Sequence, residues 1–226
     1  MREKIHIKPA TLTDFFKNWP CDWPEREHYV REHDVKRDQF QAFKTLLAKP
    51  CGERQIERFL SSNKEAFVLL LSLFATGHHA AWVFPKIQLR PPSDFPGGLI
   101  PDYVLAGANS SGVSWFIVEL KSPNKRAFVK EGKRVFLSSD ANKGICQLLN
   151  YIDLSSRSQS YLRDEIRLAG FREPTGVLLI GTEAESEDPD IKAFKGAWNR
   201  INPKIQIRSF NAVLRQVERK LNDFGR

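Results

Sequence analysis

Three ionisable side chains stand close together in a stretch of chain that is otherwise apolar or suited to turning. They are Asp102, Glu119 and Lys121, within GGLIPDYVLAGANSSGVSWFIVELK at residues 97–121. Carboxylate oxygens of this kind take a hard divalent cation, and an ammonium beside them can orient water and stabilise developing negative charge. The plainer reading is a strand end emerging into water with an exposed ion pair, which stabilises a protein by less than ~1 kcal/mol. Against it, two carboxylates brought close together are costly unless a cation sits between them. Lys121 is the one cation in this stretch to offset that cost.

A β-hairpin is the element that brings the three groups together. Its first strand is expected over Leu99–Leu105, carrying Ile100-Pro101-Asp102, and its second over Val113–Lys121. The small and polar residues from Gly107 to Gly112 form the turn. Side chains alternate along a strand, so Trp115, Ile117, Glu119 and Lys121 share one face, and Phe116, Val118 and Leu120 the other. Glu119 and Lys121 therefore point the same way. The pattern Pro-Asp, turn, Glu-x-Lys resembles the metal site of the PD-(D/E)xK nuclease superfamily.

Around the hairpin the chain reads as alternating helices and strands. Helices are expected over Thr11–Trp19, over Asp34–Ala48 up to Pro50, from Gly52 with Ile56, Phe59 and Leu60 on one face, and over Glu65–Ala75. Trp82–Leu89 reads as a strand and Arg90–Gly98 as a loop. Asp140–Leu154 reads as a helix capped by Ser139 or Asp140, with Ile145, Leu148, Leu149 and Ile152 as its stripe. Gln147 lies beside that stripe and wants a hydrogen-bond partner, whereas Tyr151 reads as an aromatic at the core edge. Thr175–Thr182 is a buried strand, Pro189 opens a helix to Asn199 after the acidic loop from Glu183, Ile205–Arg208 is a short strand, and Asn211–Phe224 is a closing amphipathic helix. This order predicts an α/β sandwich with a mixed sheet.

Composition bounds the function. The chain has 226 residues, 41% hydrophobic and 27% charged, the balance of a soluble globular domain. Cys21, Cys51 and Cys146 are odd in number and widely spaced, with no zinc-ligand spacing, which predicts reduced thiols in a cytoplasmic protein. No apolar segment follows Met1-Arg2-Glu3-Lys4, and the apolar run from Ala66 to Ala75 is too short to span a bilayer, so no membrane association is expected. His28 and His33, lone histidines in a charged stretch, read as surface residues. The formal net charge is +8, from 35 basic and 27 acidic residues. Much of the surplus follows Glu119, at Lys121, Lys125, Arg126, Lys130, Lys133, Arg134 and Lys143. A basic run beginning at a metal site suits the backbone of DNA better than a merely solvated loop.

Four segments together resemble the Shedu family of bacterial anti-phage nucleases, within the PD-(D/E)xK superfamily. They are Glu53-Arg54-Gln55-Ile56-Glu57-Arg58-Phe59-Leu60 followed by Asn63, Trp82-Val83-Phe84-Pro85, Ile100-Pro101-Asp102-Tyr103-Val104-Leu105, and Phe116-Ile117-Val118-Glu119-Leu120-Lys121-Ser122-Pro123. Gln147-Leu148-Leu149-Asn150-Tyr151 is similar to the family's glutamine-bearing helix, and Lys64 departs from the proline often found after the asparagine. The resemblance implies a restriction-endonuclease-like domain over residues 51–226, with residues 1–50 as a helical extension. It further implies Mg²⁺ or Mn²⁺ held by Asp102, Glu119 and the Leu120 carbonyl, with Lys121 beside the attacking water. Gln147 maps to the helix glutamine, and the first-helix acid maps to Glu53, with Glu57 as the alternative. A metal-dependent DNA endonuclease in defence against phage is the leading expectation. A nuclease-like module that binds nucleic acid or a partner without cutting, and a subunit of a larger complex, are the others. A homo-oligomer, most simply a dimer, is expected from the aromatics Phe15, Phe16, Trp19, Trp23 and Tyr29 ahead of the domain, whose other use is to pack back onto their own domain.

Overall fold

The computed structural model describes residues 19–31, 34–62, 70, 78, 80–89, 99–182 and 188–223. The helices expected over Thr11–Trp19 and Glu65–Ala75, the loop at Arg90–Gly98, His33, Asn63 and most of the acidic loop after Thr182 lie wholly or largely outside them. The strands are β1 (Tyr29–Val30), β2 (Ala80–Pro85), β3 (Tyr103–Asn109), β4 (Gly112–Leu120), β5 (Phe128–Glu131), β6 (Arg134–Leu137), β7 (Thr175–Leu179) and β8 (Ile205–Arg208). The helices are α1 (Arg37–Leu47), α2 (Glu53–Ser62), α3 (Ser139–Arg157), α4 (Gln159–Asp164), α5 (Pro189–Ile201) and α6 (Phe210–Asp223).

Six strands form one sheet in the order β1-β2-β3-β4-β7-β8, and β5-β6 is a separate hairpin. The pairs from β1 to β4 are antiparallel, while β4, β7 and β8 run parallel. The sheet is mixed, as the order of elements predicted, because α3 and α5 carry the crossovers that parallel neighbours require. Alternation along the strands splits the core in two. Val83, Leu105, Val118, Leu120, Val177 and Leu179 pack against α1, α2 and α6, through Phe40, Phe43, Ile56, Leu60, Val213 and Val217. Trp82, Val104, Ala106, Trp115, Ile117, Leu178 and Ile207 face α3, α4 and α5. No helix among the described residues is long and apolar enough to cross a membrane.

Residues 19–31 and 34–50 join this core. β1 extends the sheet beside β2, pairing Tyr29 with Trp82 and Val30 with Ala81. Trp19, Trp23 and Tyr29 surround the Trp82 ring edge-on, with centroids 5.1–6.1 Å from it. Phe40 and Phe43 of α1 are buried.

Several element boundaries differ from expectation, each for a physical reason. β3 begins at Tyr103, after Pro101, which has no N–H to give a ladder. It continues through Gly107, where a Cβ would lie 2.2 Å from the His78 ring, so glycine there is a packing requirement. The turn is consequently short, Ser110-Ser111, followed by Gly112 at φ 106°. β2 stops at Pro85 because Lys86 takes φ 53°. The cap of α3 is Ser138, whose hydroxyl accepts from the Ala141 N–H at 3.0 Å, rather than Ser139 or Asp140. Leu149 is 54% exposed and leaves the expected stripe, whereas Tyr151 is buried. The basic stretch after Lys125 contains the β5-β6 hairpin, which no sequence pattern announces.

Candidate active site

The β3-β4 register pairs Tyr103 with Val118, and continuing it by one residue sets Asp102 opposite Glu119. Both carboxylates are buried, Asp102 at 9% and Glu119 at 5% exposure. They are anchored differently. Asp102 Oδ2 accepts from the Leu120 N–H at 2.7 Å, which ties the start of β3 to the end of β4. Glu119 Oε1 accepts from Lys121 Nζ at 2.8 Å, and both side chains lie on the face that alternation assigned to them.

The other end of the Asp102 carboxylate holds a residue that the sequence did not point to. Lys86 Nζ donates to Asp102 Oδ1 at 2.5 Å and to Glu57 Oε1 at 3.1 Å. The expectation that Lys121 is the one cation near the two acids is thereby corrected: each acid has its own lysine. Lys86 lies outside the hairpin, at the end of β2, and its N–H donates to the Asp102 carbonyl at 3.2 Å. Its reach depends on a left-handed backbone turn, which leaves no periodic trace.

Both candidate acids of α2 face the site. Glu53 Oε1 accepts from the Ser122 N–H at 3.3 Å, just past Lys121, and its charge reaches Glu119. Glu57, one turn on, contacts Lys86 and interacts with Asp102. On α3, Gln147 is half-buried and finds its partner in Tyr151. The Tyr151 hydroxyl also interacts with Glu119, so this residue belongs to the site as well as to the core edge. An aromatic one turn from a site glutamine was the available signal.

The electrostatics express crowding of negative charge. Glu119 is held above the usual carboxylate range, first by burial and then by the Asp102 charge, with Lys121 opposing. Burial also raises Glu57, with Lys86 opposing. The Tyr151 hydroxyl is pushed up by burial and by the Glu119 and Asp102 charges. At Lys86, burial acts downward but is outweighed by Asp102 and Glu57, so its proton is held more tightly than usual. Among the described residues, Glu25, Glu27 and His28 are the trio whose ligating atoms all lie within 4.8 Å of one another, outside the Asp102–Glu119 site.

The basic run divides into two groups. Lys125 pairs with Asp140 at 3.2 Å, and Lys130 with Asp188 at 2.8 Å and Asp190 at 2.7 Å. Arg126, Lys133, Arg134 and Lys143 are exposed and have no ion-pair partner among the described residues. Arg134 starts β6 and Lys133 lies in its turn, while Lys143 lies on α3, one turn before Gln147.

A family model described as Shedu protein SduA, C-terminal, matches residues 52–214. No curated protein matches the chain. The match begins at the head of α2 and takes in Asp102, Glu119, Lys121 and Gln147, while β1 and α1 lie ahead of it.

Proposed function

The chain belongs to the Shedu SduA C-terminal family, and from that premise we propose that it is a metal-dependent DNA endonuclease acting in defence against phage. The observation that carries the reading is the pair of buried carboxylates, Asp102 and Glu119, with Lys121 2.8 Å from the second. A solvated strand end would not bury them.

The donor set fits a hard cation such as Mg²⁺ or Mn²⁺. It is all oxygen, from Asp102, Glu119 and the Leu120 carbonyl, and a cation relieves the repulsion between the two carboxylates, which adds to burial in raising Glu119. Such an ion, when bound, neutralises charge on the phosphoryl oxygens and makes water nucleophilic near neutral pH. The protein's own groups supply position. The Leu120 N–H fixes the Asp102 carboxylate, and Lys121 holds Glu119 and is placed to orient an attacking water and stabilise the transition state. Tyr151, whose hydroxyl donates to the Ile100 carbonyl at 3.4 Å and interacts with Gln147 and Glu119, lines the α3 side of the site, and Glu53 anchors α2 to the end of β4. Arg126, Lys133, Arg134 and Lys143 supply sequence-independent contacts to phosphates.

Cleavage of plasmid DNA with Mg²⁺ or Mn²⁺, and in EDTA, tests this reading. Asp102→Ala and Glu119→Ala are each expected to lose cutting by a factor of at least about 10², and to lose Mn²⁺ binding by calorimetry, while still folding. Cutting that persists in EDTA, or unchanged Mn²⁺ binding in both variants, would sink the metal site. Tight DNA binding with no cutting under either metal would favour the non-cleaving module.

A further inference from the structure

We propose that Lys86 is an internal counter-cation that occupies the coordinating face of Asp102 and must leave it when a divalent metal binds, so that metal occupancy is set by competition between the ammonium and the metal. The inference rests on the metal-site reading of Asp102 and Glu119.

Three observations carry it. First, the two Asp102 oxygens have different fates. Oδ2 is tied to the Leu120 N–H, a backbone group at the end of a central strand, and cannot be freed without disturbing β4. Oδ1 carries the Lys86 ammonium. A carboxylate oxygen has two lone pairs, but a divalent ion and an ammonium on the same buried oxygen repel strongly where water does not screen them. Second, the two lysines differ in freedom. The Lys121 side chain is 15% exposed beside Glu119, whereas that of Lys86 is 49% exposed and can swing to solvent. Third, the backbone of Lys86 is left-handed, φ 53°, a conformation that glycine or asparagine takes more readily. A lysine there keeps an unfavourable backbone while placing its ammonium between Glu57 and Asp102.

Competition makes a prediction that a purely structural ion pair does not. Removing the ammonium while keeping the acids should tighten metal binding. Calorimetric titration of the full chain with Mn²⁺ is expected to show Lys86→Met binding about tenfold more tightly than wild type, equivalent to about 1.4 kcal/mol. Lys86→Arg, which keeps the charge, should remain near wild type. Lys86→Gly removes the ammonium and relieves the backbone, and so guards against a folding failure of the methionine variant. The rise in melting temperature on adding Mn²⁺ should be larger in both neutral variants than in wild type. Mn²⁺ binding that disappears in Asp102→Ala but is equal or weaker in folded Lys86→Met and Lys86→Gly would overturn the competition alone. Absence of Mn²⁺ binding from wild type and every variant would overturn the metal site with it.

Discussion

At Glu119 the cost of burial and of the neighbouring Asp102 charge can be measured together. Its carboxyl is raised in the folded chain, so between the ordinary glutamate value of 4.5 and the folded value, the folded state holds more protons than the unfolded one. The stability this group contributes is complete below the ordinary value and is lost as pH rises through the folded one. Glu119→Gln removes the titration and still offers an oxygen to Lys121. In EDTA, its melting temperature should therefore exceed that of wild type at neutral pH, with the gap closing as pH falls toward 4.5. Melts across that range check it, and parallel curves for the two proteins would contradict the raised Glu119. Asp102, Glu119 and Lys121 were legible in the sequence because strand alternation and one tight turn determine their relation. Glu53 and Gln147 were singled out by their resemblance to family motifs; in the structure the Glu53 charge reaches Glu119, and Gln147 interacts with Tyr151. Lys86 was not legible, since it reaches Asp102 from another strand through a backbone conformation no pattern announces.

At the level of elements, buried segments were read well and the charged one was not. The apolar runs of β4, β7 and β8 and the stripes of α2 and α6 show their period, because each buries one face or both. In β5-β6 the four-residue strands bury only Phe128, and two lysines, an arginine and a glutamate hide the alternation around Gly132 at φ 59°. Yet this hairpin decides which cations are available. Lys130 is committed to the α5 cap at Asp188, and Lys125 to Asp140 on α3. Replacing Arg126, Lys133, Arg134 and Lys143 together by Gln should lower the slope of log affinity for duplex DNA against log salt by roughly 0.9 for each phosphate no longer neutralised. Replacing Lys125 and Lys130 should change the slope much less. Binding isotherms over a salt series would show this, and equal slopes in the two variants would mean that internal pairing does not select the DNA-facing cations.

The whole molecule changes the question that the first 50 residues pose. Their aromatics suited either an interface or packing onto their own domain: Phe15 and Phe16 lie outside the described residues, while Trp19, Trp23 and Tyr29 pack on Trp82, β1 is an edge strand of the sheet, and Phe40 and Phe43 lie in the core with α6. Such long-range packing is invisible to local pattern, because a tryptophan covering its own domain and one covering a partner read alike. A chain starting at Pro50 would lose both phenylalanines, each contributing about 3–5 kcal/mol by comparison with truncation of buried aromatics, and would unfold before reporting on assembly. The oligomer must be sought in the full chain. Two-fold pairing remains our proposal, since a dimer presents two active sites to the two strands of a duplex and shares its symmetry. Light scattering at micromolar concentration, with and without a short duplex, should give twice the mass of one chain, plus the DNA where it is bound. A single-chain mass under both conditions would overturn the dimer, and double-strand cuts would then have to arise as two successive nicks by one site.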